Sequence, residues 1–258
     1  MDKRLALLAL LAAAPPALGQ QPPAVPDADG FTRPLERLDL DPYRNQRIFE
    51  HSTLDALRIH DPFEALNRHV YHFNYGLDRW VLLPAVRGYR AVTPRPVRTA
   101  VSNAFANLGD VGNLANHLLQ LKGERAMRTT ARLLFNSLLG IGGLWDPATR
   151  MGLPRQSEDF GQTLGHWGVG AGPYLVLPGL GPSNLRDATG RLVDFGLETA
   201  LDPLGYSTAS RNHPALAGLR VIDTRYTTPF RYGQLNTPFE YTEVRYIYTR
   251  ARALQIAD

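Results

Sequence analysis

The chain has 258 residues, a formal net charge of +4 and a hydrophobic fraction of 44%. This small charge, with no dense basic tract, argues against a nucleic-acid-binding surface. The sequence contains no cysteine, which excludes disulfides, thiolate catalysis, cysteine-ligated metals and attachment of a lipid to an N-terminal cysteine.

Residues 1–19 have the features of a cleavable signal peptide. Lys3 and Arg4 precede an uncharged apolar stretch, and Ala17 and Gly19 supply the small residues of a cleavage site. The apolar stretch is shorter than the roughly 20 residues that span a bilayer. The chain is therefore predicted to be exported. Residues 20–60, rich in proline and charged residues, are predicted to form a flexible leader.

Residues 61–258 are predicted to form one domain, which begins with a two-faced helix. Asp61 suits the N-cap, Pro62 the first helical position, and Glu64 completes a capping box. Two rows then follow the helical period. The apolar row is Phe63, Leu66, Val70, Phe73, Leu77 and Trp80, and the polar row beside it is Asn67, Tyr71, Asn74 and Asp78.

Three more helices are predicted before residue 140. They cover about residues 97–108, a segment capped by Asp110 that ends near residue 121, and residues 124–139. Asparagine recurs on them although it is a mediocre helix former; the positions are Asn103, Asn107, Asn113, Asn116 and Asn136. Two interpretations stay open: each amide is satisfied locally, or together the amides line a polar passage beside apolar stripes.

About half of the 23 glycines lie between residues 140 and 190, which predicts tight turns or a segment that moves. Trp145, Trp167 and Tyr174 are interleaved with these glycines, as is typical of a membrane interface. The alternative for the tryptophans is that they cover a core beside a turn. Residues 174–177 form a short apolar run that suits a buried extended segment or a sheet.

Sequence motifs for chemistry are weak. The run Gly168-x-Gly170-x-Gly172 does not have the spacing of a nucleotide-binding loop, and no metal-binding histidine spacing occurs. No G-x-S-x-G motif occurs, which disfavours a lipase of the α/β-hydrolase class, although a Ser, His and Asp that meet only in the fold stay open. A last amphipathic helix is predicted after Thr237. The domain is therefore predicted to be mainly α.

The order of these residues resembles the MlaA/VacJ family, over roughly residues 61–194. The matching motifs are Asp61-Pro62-Phe63-Glu64-x-x-Asn67-Arg68, Phe73-Asn74, Asp78, Ser102-Asn103-x-Phe105-x-Asn107-Leu108, Asn116, Arg132, Asn136, Gly140-Ile-Gly142-Gly143, Phe160-Gly161-x-Thr163-Leu164-Gly165, Trp167-Gly168-x-Gly170-x-Gly172-Pro173-Tyr174 and Arg186-Asp187.

The resemblance implies an all-α, ring-shaped protein that lies at the periplasmic face of the outer membrane, with a channel through its middle and trimeric porins as neighbours. Family members remove mislocalised phospholipid from the outer leaflet and pass it to a periplasmic lipid carrier, without covalent chemistry or a cofactor. Family members usually carry a lipid-modified cysteine, which this chain lacks. A periplasmic phospholipid carrier and, less favoured, a phospholipase are the alternative functions.

The resemblance and the helical rows together give three sets of candidate site residues. The candidates for the lipid channel and its gate are Asn67, Tyr71, Phe73, Asn74, Asp78, Asn103, Asn107 and Asn116. The candidates for a mobile hairpin are Gly140, Gly142 and Gly143. The candidates for a membrane interface are Trp145, Trp167 and Tyr174.

Overall fold

The computed structural model describes residues 59–202, 205–235 and 239–258. The predicted signal peptide, the predicted leader up to residue 58 and the predicted cap at Thr237 lie outside the described residues. Among the described helices, none combines the length and the apolar composition needed to cross a membrane.

The described part of the chain is mainly helical, which confirms the predicted all-α class apart from one short hairpin. A π-helical turn, Asp78–Leu82, connects the first two described helices, Glu64–Leu77 and Leu83–Val92. The helices are α1 (Glu64–Leu77), α2 (Leu83–Val92), α3 (Arg95–Leu119), α4 (Gly123–Leu138), α5 (Pro147–Arg150), α6 (Phe160–His166), α7 (Leu185–Leu201), α8 (Tyr206–Asn212), α9 (Pro214–Thr227) and α10 (Glu240–Ala257).

The hairpin consists of the antiparallel strands β1 (Tyr174–Leu177) and β2 (Gly181–Asn184). Tyr174 is paired with Asn184 at its open end, and Leu177 is paired with Gly181 at its turn. The sequence left the apolar run at residues 174–177 open between a sheet and a buried extended segment, and the structure shows a strand.

The start of α1 differs from the predicted capping box. The helix begins at Glu64, and its N-cap residue, Phe63, makes no side-chain cap. The carboxylate of Asp61 instead accepts hydrogen bonds from Asn67, Tyr241 and Arg245. Asp61 therefore connects the start of α1 to α10, and its contact with Arg245 is a charge-assisted hydrogen bond.

The predicted break at Asp110 is wrong, since α3 runs without interruption from Arg95 to Leu119. Asp110 is fully buried in the middle of α3. Its carboxylate pairs with Arg132 of α4 at 3.2 Å and with Arg155 at 3.0 Å. An acidic residue that resembles a cap in the sequence is thus an interior ion-pair partner, which local sequence rules do not reveal.

The glycines at residues 140–143 form the turn after α4. Gly142 and Gly143 have φ angles of 67° and 90°, which side chains rarely adopt. A Cβ atom on Gly140 would lie 2.2 Å from the carbonyl oxygen of Trp145. These glycines are therefore required by the geometry of the turn. The mobility proposed for this segment stays a prediction.

An aromatic cluster joins α1, β1 and α10. Tyr71, Tyr174, Val176, Tyr241 and Val244 are all buried in it. The ring of Tyr71 lies edge-on to that of Tyr241, with their centroids 5.7 Å apart. Edge-to-face packing of this kind stabilises the contact beyond simple burial. The cluster fixes the hairpin between the first and the last described helices.

Candidate functional site

Polar and apolar side chains are distributed in the opposite way to a water-soluble globule. Among the described residues, buried polar and charged side chains outnumber buried apolar ones. Helix α4 shows the pattern, because Arg132 and Asn136 are buried whereas Met127 and Leu138 are 75% and 76% exposed. So large an exposed apolar surface is typical of a protein that contacts lipid or another protein.

Helix α1 is inverted in the same way. Its predicted apolar row faces outward, with Leu66 61% and Phe73 57% exposed. Its predicted polar row faces inward, with Asn67 and Asn74 almost fully buried. An apolar row at helical spacing normally faces a core. Phe73 does not pack in one, because the inward face of α1 is occupied by polar residues that bind other parts of the chain.

Asn67 binds the free edge of strand β1. Its Nδ2 donates to the carbonyl oxygen of Tyr174 at 3.0 Å, and its Oδ1 accepts from the backbone N–H of Val176 at 2.8 Å. The side-chain amide thus takes the place of a neighbouring strand. Backbone groups at a buried sheet edge must find partners of this kind, since leaving them unpaired is costly.

Asn74 repeats the arrangement seven residues, or two helical turns, later. Its Nδ2 donates to the carbonyl oxygen of Leu177 at 3.0 Å, and its Oδ1 accepts from the backbone N–H of Gly179 at 2.7 Å. Asn74 therefore holds the turn of the hairpin against α1. Because Asn74 also borders a large cavity, this contact fixes one part of the cavity wall.

A cavity of 1680 Å³ lies between the hairpin, the end of α1 and helices α7 to α10. Its volume exceeds the roughly 300–1,000 Å³ of sites for drug-sized ligands. Most of the wall is apolar, and the residues that contribute include Leu177, Leu180, Leu192, Phe195, Val221 and Ile247. The cavity is partly open at the protein surface.

Two ion pairs are set into this apolar wall. Asp78, in the π-helical turn, accepts from the Nε and Nη2 of Arg225 at 2.5 and 3.0 Å. Glu198 of α7 pairs with Arg220 of α9, with 3.1 Å between Oε2 and Nη2. Both are two-pronged contacts between guanidinium and carboxylate, which have a fixed geometry. They give the wall a few polar positions and join helices that border the cavity.

Asp194 adds a third carboxylate to the wall. Burial raises the pKa of Asp194, although the backbone N–H of Phe160 and the amide of Asn116 donate to it. These donors connect α7 to α6 and α3. Asp194 therefore positions the cavity wall relative to the long helix α3.

A small polar pocket of 70 Å³ lies beside the cavity. Arg252 of α10 binds Asp187 and Asp159 there, each at 2.8 Å. Burial alone would raise the pKa of Asp187, but hydrogen bonds from Arg252 and Tyr248 outweigh it and lower the pKa to about 2. The ionised carboxylates hold α10 against α6 and α7. Arg191 borders both this pocket and the large cavity.

The MlaA lipoprotein family model matches residues 59–255. The chain belongs to the MlaA lipoprotein family. The match covers nearly all of the part that the structure describes. No group of three or more His, Asp or Glu residues in that part is arranged to hold a metal ion.

Two relatives align with part of this chain. The intermembrane phospholipid transport system lipoprotein MlaA of Escherichia coli is 38% identical over 138 residues, which are 52% of this chain and 55% of that protein. An uncharacterized protein of Rickettsia felis is 37% identical over 203 residues, 78% of this chain and 80% of its own.

A solved structure also matches this chain. It is described as "Structural basis for maintenance of bacterial outer membrane lipid asymmetry". The TM-score is 0.64 at 34% sequence identity, and the match covers 76% of this chain and 99% of that chain. Identity and TM-score together support a shared fold as well as a shared family.

The structure brings two of the predicted channel residues, Asn74 and Asp78, to the cavity wall. Phe73 lies on the outward side of the same helix. The other candidates, Asn67, Tyr71, Asn103, Asn107 and Asn116, do not border the cavity. Instead they bind within the fold, as when Asn103 donates to the carbonyl oxygen of Leu144 at 3.1 Å.

The three candidate interface aromatics have different environments. Trp145 and Trp167 are 46% and 60% exposed, so both are accessible to a lipid surface. Tyr174 is only 3% exposed and lies in the aromatic cluster. The prediction of an interfacial role for Tyr174 is therefore wrong, because packing against Tyr241 and Tyr248 keeps its ring inside.

Sequence reasoning missed most of the cavity wall of this family member. Helices α8 and α9 contribute to it, yet they lie beyond the region of the motifs. Arg220 and Arg225 are ordinary single residues in the sequence, and nothing there indicates their carboxylate partners. The local signal for the wall was Asn74 and Asp78 at a spacing of four, which places two polar side chains on one helical face.

Proposed function

We propose that this chain transports phospholipid at the outer membrane. It removes mislocalised phospholipid from the outer leaflet and passes it to a periplasmic lipid carrier, which maintains lipid asymmetry. The names of the relatives in Escherichia coli and of the matching solved structure support this proposal. The observation that carries it is the cavity of 1680 Å³ with an apolar wall, in a protein whose outer surface is also apolar.

The division of the wall suggests how a phospholipid would lie in it. The acyl chains contact the leucine, valine and phenylalanine side chains, because apolar surface leaves water favourably. The polar headgroup stays near Asn74 and the two ion pairs. We propose that the helices form a ring in one leaflet with the cavity as its channel, beside a trimeric porin. Amphipathic helices of this kind lie in the plane of a membrane interface.

Transport without covalent chemistry needs no cofactor and no catalytic residue. In this proposal the protein is not an enzyme, and capture of the lipid by the next carrier drives the flow. Phe73 and Asn74 are proposed as gate positions. Asn74 holds the hairpin turn at the cavity, while its neighbour Phe73 points outward towards the lipid.

A cavity-filling pair on α9 tests the proposal. Ala217 borders the cavity, whereas Ala215, two residues earlier, is exposed and does not. With donor and acceptor vesicles and labelled phospholipid, we expect A217W to slow the transfer of intact lipid and A215W to transfer like the wild type. Released fatty acid would indicate a phospholipase instead. A wild-type protein that leaves membranes in carbonate with bound lipid would indicate a soluble carrier.

A further inference from the structure

The segment of residues 79–109 contains five arginines and no aspartate or glutamate. Arg98 is buried beneath Tyr226, but Arg79, Arg87 and Arg95 are exposed. No ion pair involves these three side chains among the described residues. The exposed charge on this part of the chain is therefore of one sign, although the net charge of the whole chain is small.

The same segment exposes large apolar side chains. Trp80 is 74%, Val81 54% and Val92 81% exposed. Within α2 the side that carries Val86 is turned inward, since Val86 is fully buried. Trp80 and Arg79 are in contact, since the guanidinium lies 5.2 Å from the ring centroid. We call the outward side the basic-aromatic face; its residues are Arg79, Trp80, Val81, Arg87, Val92 and Arg95.

Nearby carboxylates do not neutralise the basic-aromatic face. Asp78 is 4% exposed and directed inward to Arg225. Asp223 of α9, which packs near α2, is also 4% exposed and accepts a hydrogen bond from Ser102 at 2.5 Å. Both acids are thus on the buried side. An acidic partner has to come from outside this part of the chain.

We infer that the basic-aromatic face binds a bilayer surface that contains anionic phospholipid. A helix with a Lys/Arg side next to a Trp and Val side is the arrangement that lies at a charged membrane interface. The arginines contact phosphate groups, and Trp80 and the valines enter the boundary between headgroups and acyl chains. This attachment is separate from lipid movement through the cavity, so it holds whether or not the proposed function is correct.

Vesicle binding of the full chain tests the inference. The protein is diluted from detergent into vesicles of phosphatidylcholine, with or without phosphatidylglycerol, at several salt concentrations. We expect the triple variant R79Q/R87Q/R95Q to lose the gain in binding that phosphatidylglycerol gives, by roughly fivefold per arginine and on the order of 100-fold in total. The loss should shrink as salt rises, because salt screens the attraction.

The matched control removes the same charge elsewhere. Arg128, Arg150 and Arg211 are also exposed, so R128Q/R150Q/R211Q has the same net charge as the triple variant. We expect this control to keep the wild-type response to phosphatidylglycerol. An equal loss in the control would overturn the inference, since net charge would then explain binding. Wild-type binding that is indifferent to phosphatidylglycerol would overturn it as well.

Trp80 gives a readout at the face itself. The chain has three tryptophans, and W145F/W167F leaves Trp80 as the sole reporter. We expect its emission to shift to the blue and to be quenched by brominated acyl chains in vesicles with phosphatidylglycerol. Unchanged Trp80 emission on binding would contradict the inference. A wild-type protein that binds these vesicles but transfers no labelled lipid would count against the proposed function alone.

Discussion

Replacing Asn67 with alanine tests the finding that α1 acts as a substitute strand. Asn67→Ala leaves the carbonyl oxygen of Tyr174 and the N–H of Val176 without their partner. These two residues are 3% and 5% exposed, so water does not readily replace the amide. An unpaired buried backbone group costs about 1–3 kcal/mol, which gives about 2–6 kcal/mol for the pair. That is a large part of a typical unfolding free energy of about 5–15 kcal/mol.

Asn74→Ala is the matched comparison, because it also frees one carbonyl oxygen and one N–H. Gly179, which donates to Asn74, lies in an exposed turn, and water can bind its freed N–H. We therefore expect a smaller loss of about 1–2 kcal/mol. Asn103→Ala removes one bond from a half-buried side chain and should cost less than about 1 kcal/mol.

Two measurements test this order of stability losses. Urea unfolding in a constant detergent gives the three free energies, and hydrogen exchange reports the individual amides. Exchange at Val176 should accelerate only in Asn67→Ala, and exchange at Gly179 mainly in Asn74→Ala. If Asn67→Ala is no less stable than Asn103→Ala, or if Val176 stays protected, the substitute-strand argument is refuted.

Three further predictions concern pH, an ion-pair cluster and the gate. Burial lowers the pKa of His117, so the unfolded state takes up its proton below about pH 6.5 before the folded state does. The unfolding free energy should therefore fall as the pH drops below that value. Urea unfolding of His117→Leu at several pH values should show a smaller fall in the unfolding free energy, and a fall equal to that of the wild type would refute this. Arg252→Met should lose about 3 kcal/mol, because Asp187 then stays buried with fewer cationic partners; loss of less than half of that in chemical unfolding would show the pair to be dispensable. Deleting Phe73 and Asn74 should leave a folded protein with altered lipid flow, and a normal outer-membrane barrier at normal protein level would contradict the gate assignment.

The family and the helical class could be predicted from the sequence, because both depend on local order. Capping residues, proline breaks and three-four periodicity indicate helices without knowledge of their neighbours. The motifs carry the family resemblance in the same local way. These predictions were confirmed over the described residues.

The inward side of each helix could not be predicted from periodicity. A period of 3.6 residues separates a polar from an apolar face but does not say which face meets the core. The usual assumption that the apolar face meets the core fails for α1, where Phe73 is exposed, and for α4, where Leu138 is exposed. The repeated asparagines were the available signal, since a residue that helices disfavour is retained when its amide is needed inside.

The cavity and its ion pairs could not be predicted because their members are far apart in the chain. Asp78 and Arg225 are separated by 147 residues. Asp110 shows the same limit, as a plausible cap by local rules whose partners are Arg132 and Arg155. Only the fold brings such residues together, and no rule on spacing links them.

Because the interior is built from ion pairs and amides, the positions of this protein that tolerate substitution differ from those of most proteins. At Met127 or Leu138, on the outside, exchanging one aliphatic side chain for another changes the stability little as long as the surface stays apolar. At Asn136 or Asp110, inside, even a change between an amide and a carboxylate of equal size misplaces a proton or a charge. Random mutagenesis of this protein should therefore find its fragile positions among hydrophilic residues and its permissive ones among hydrophobic residues.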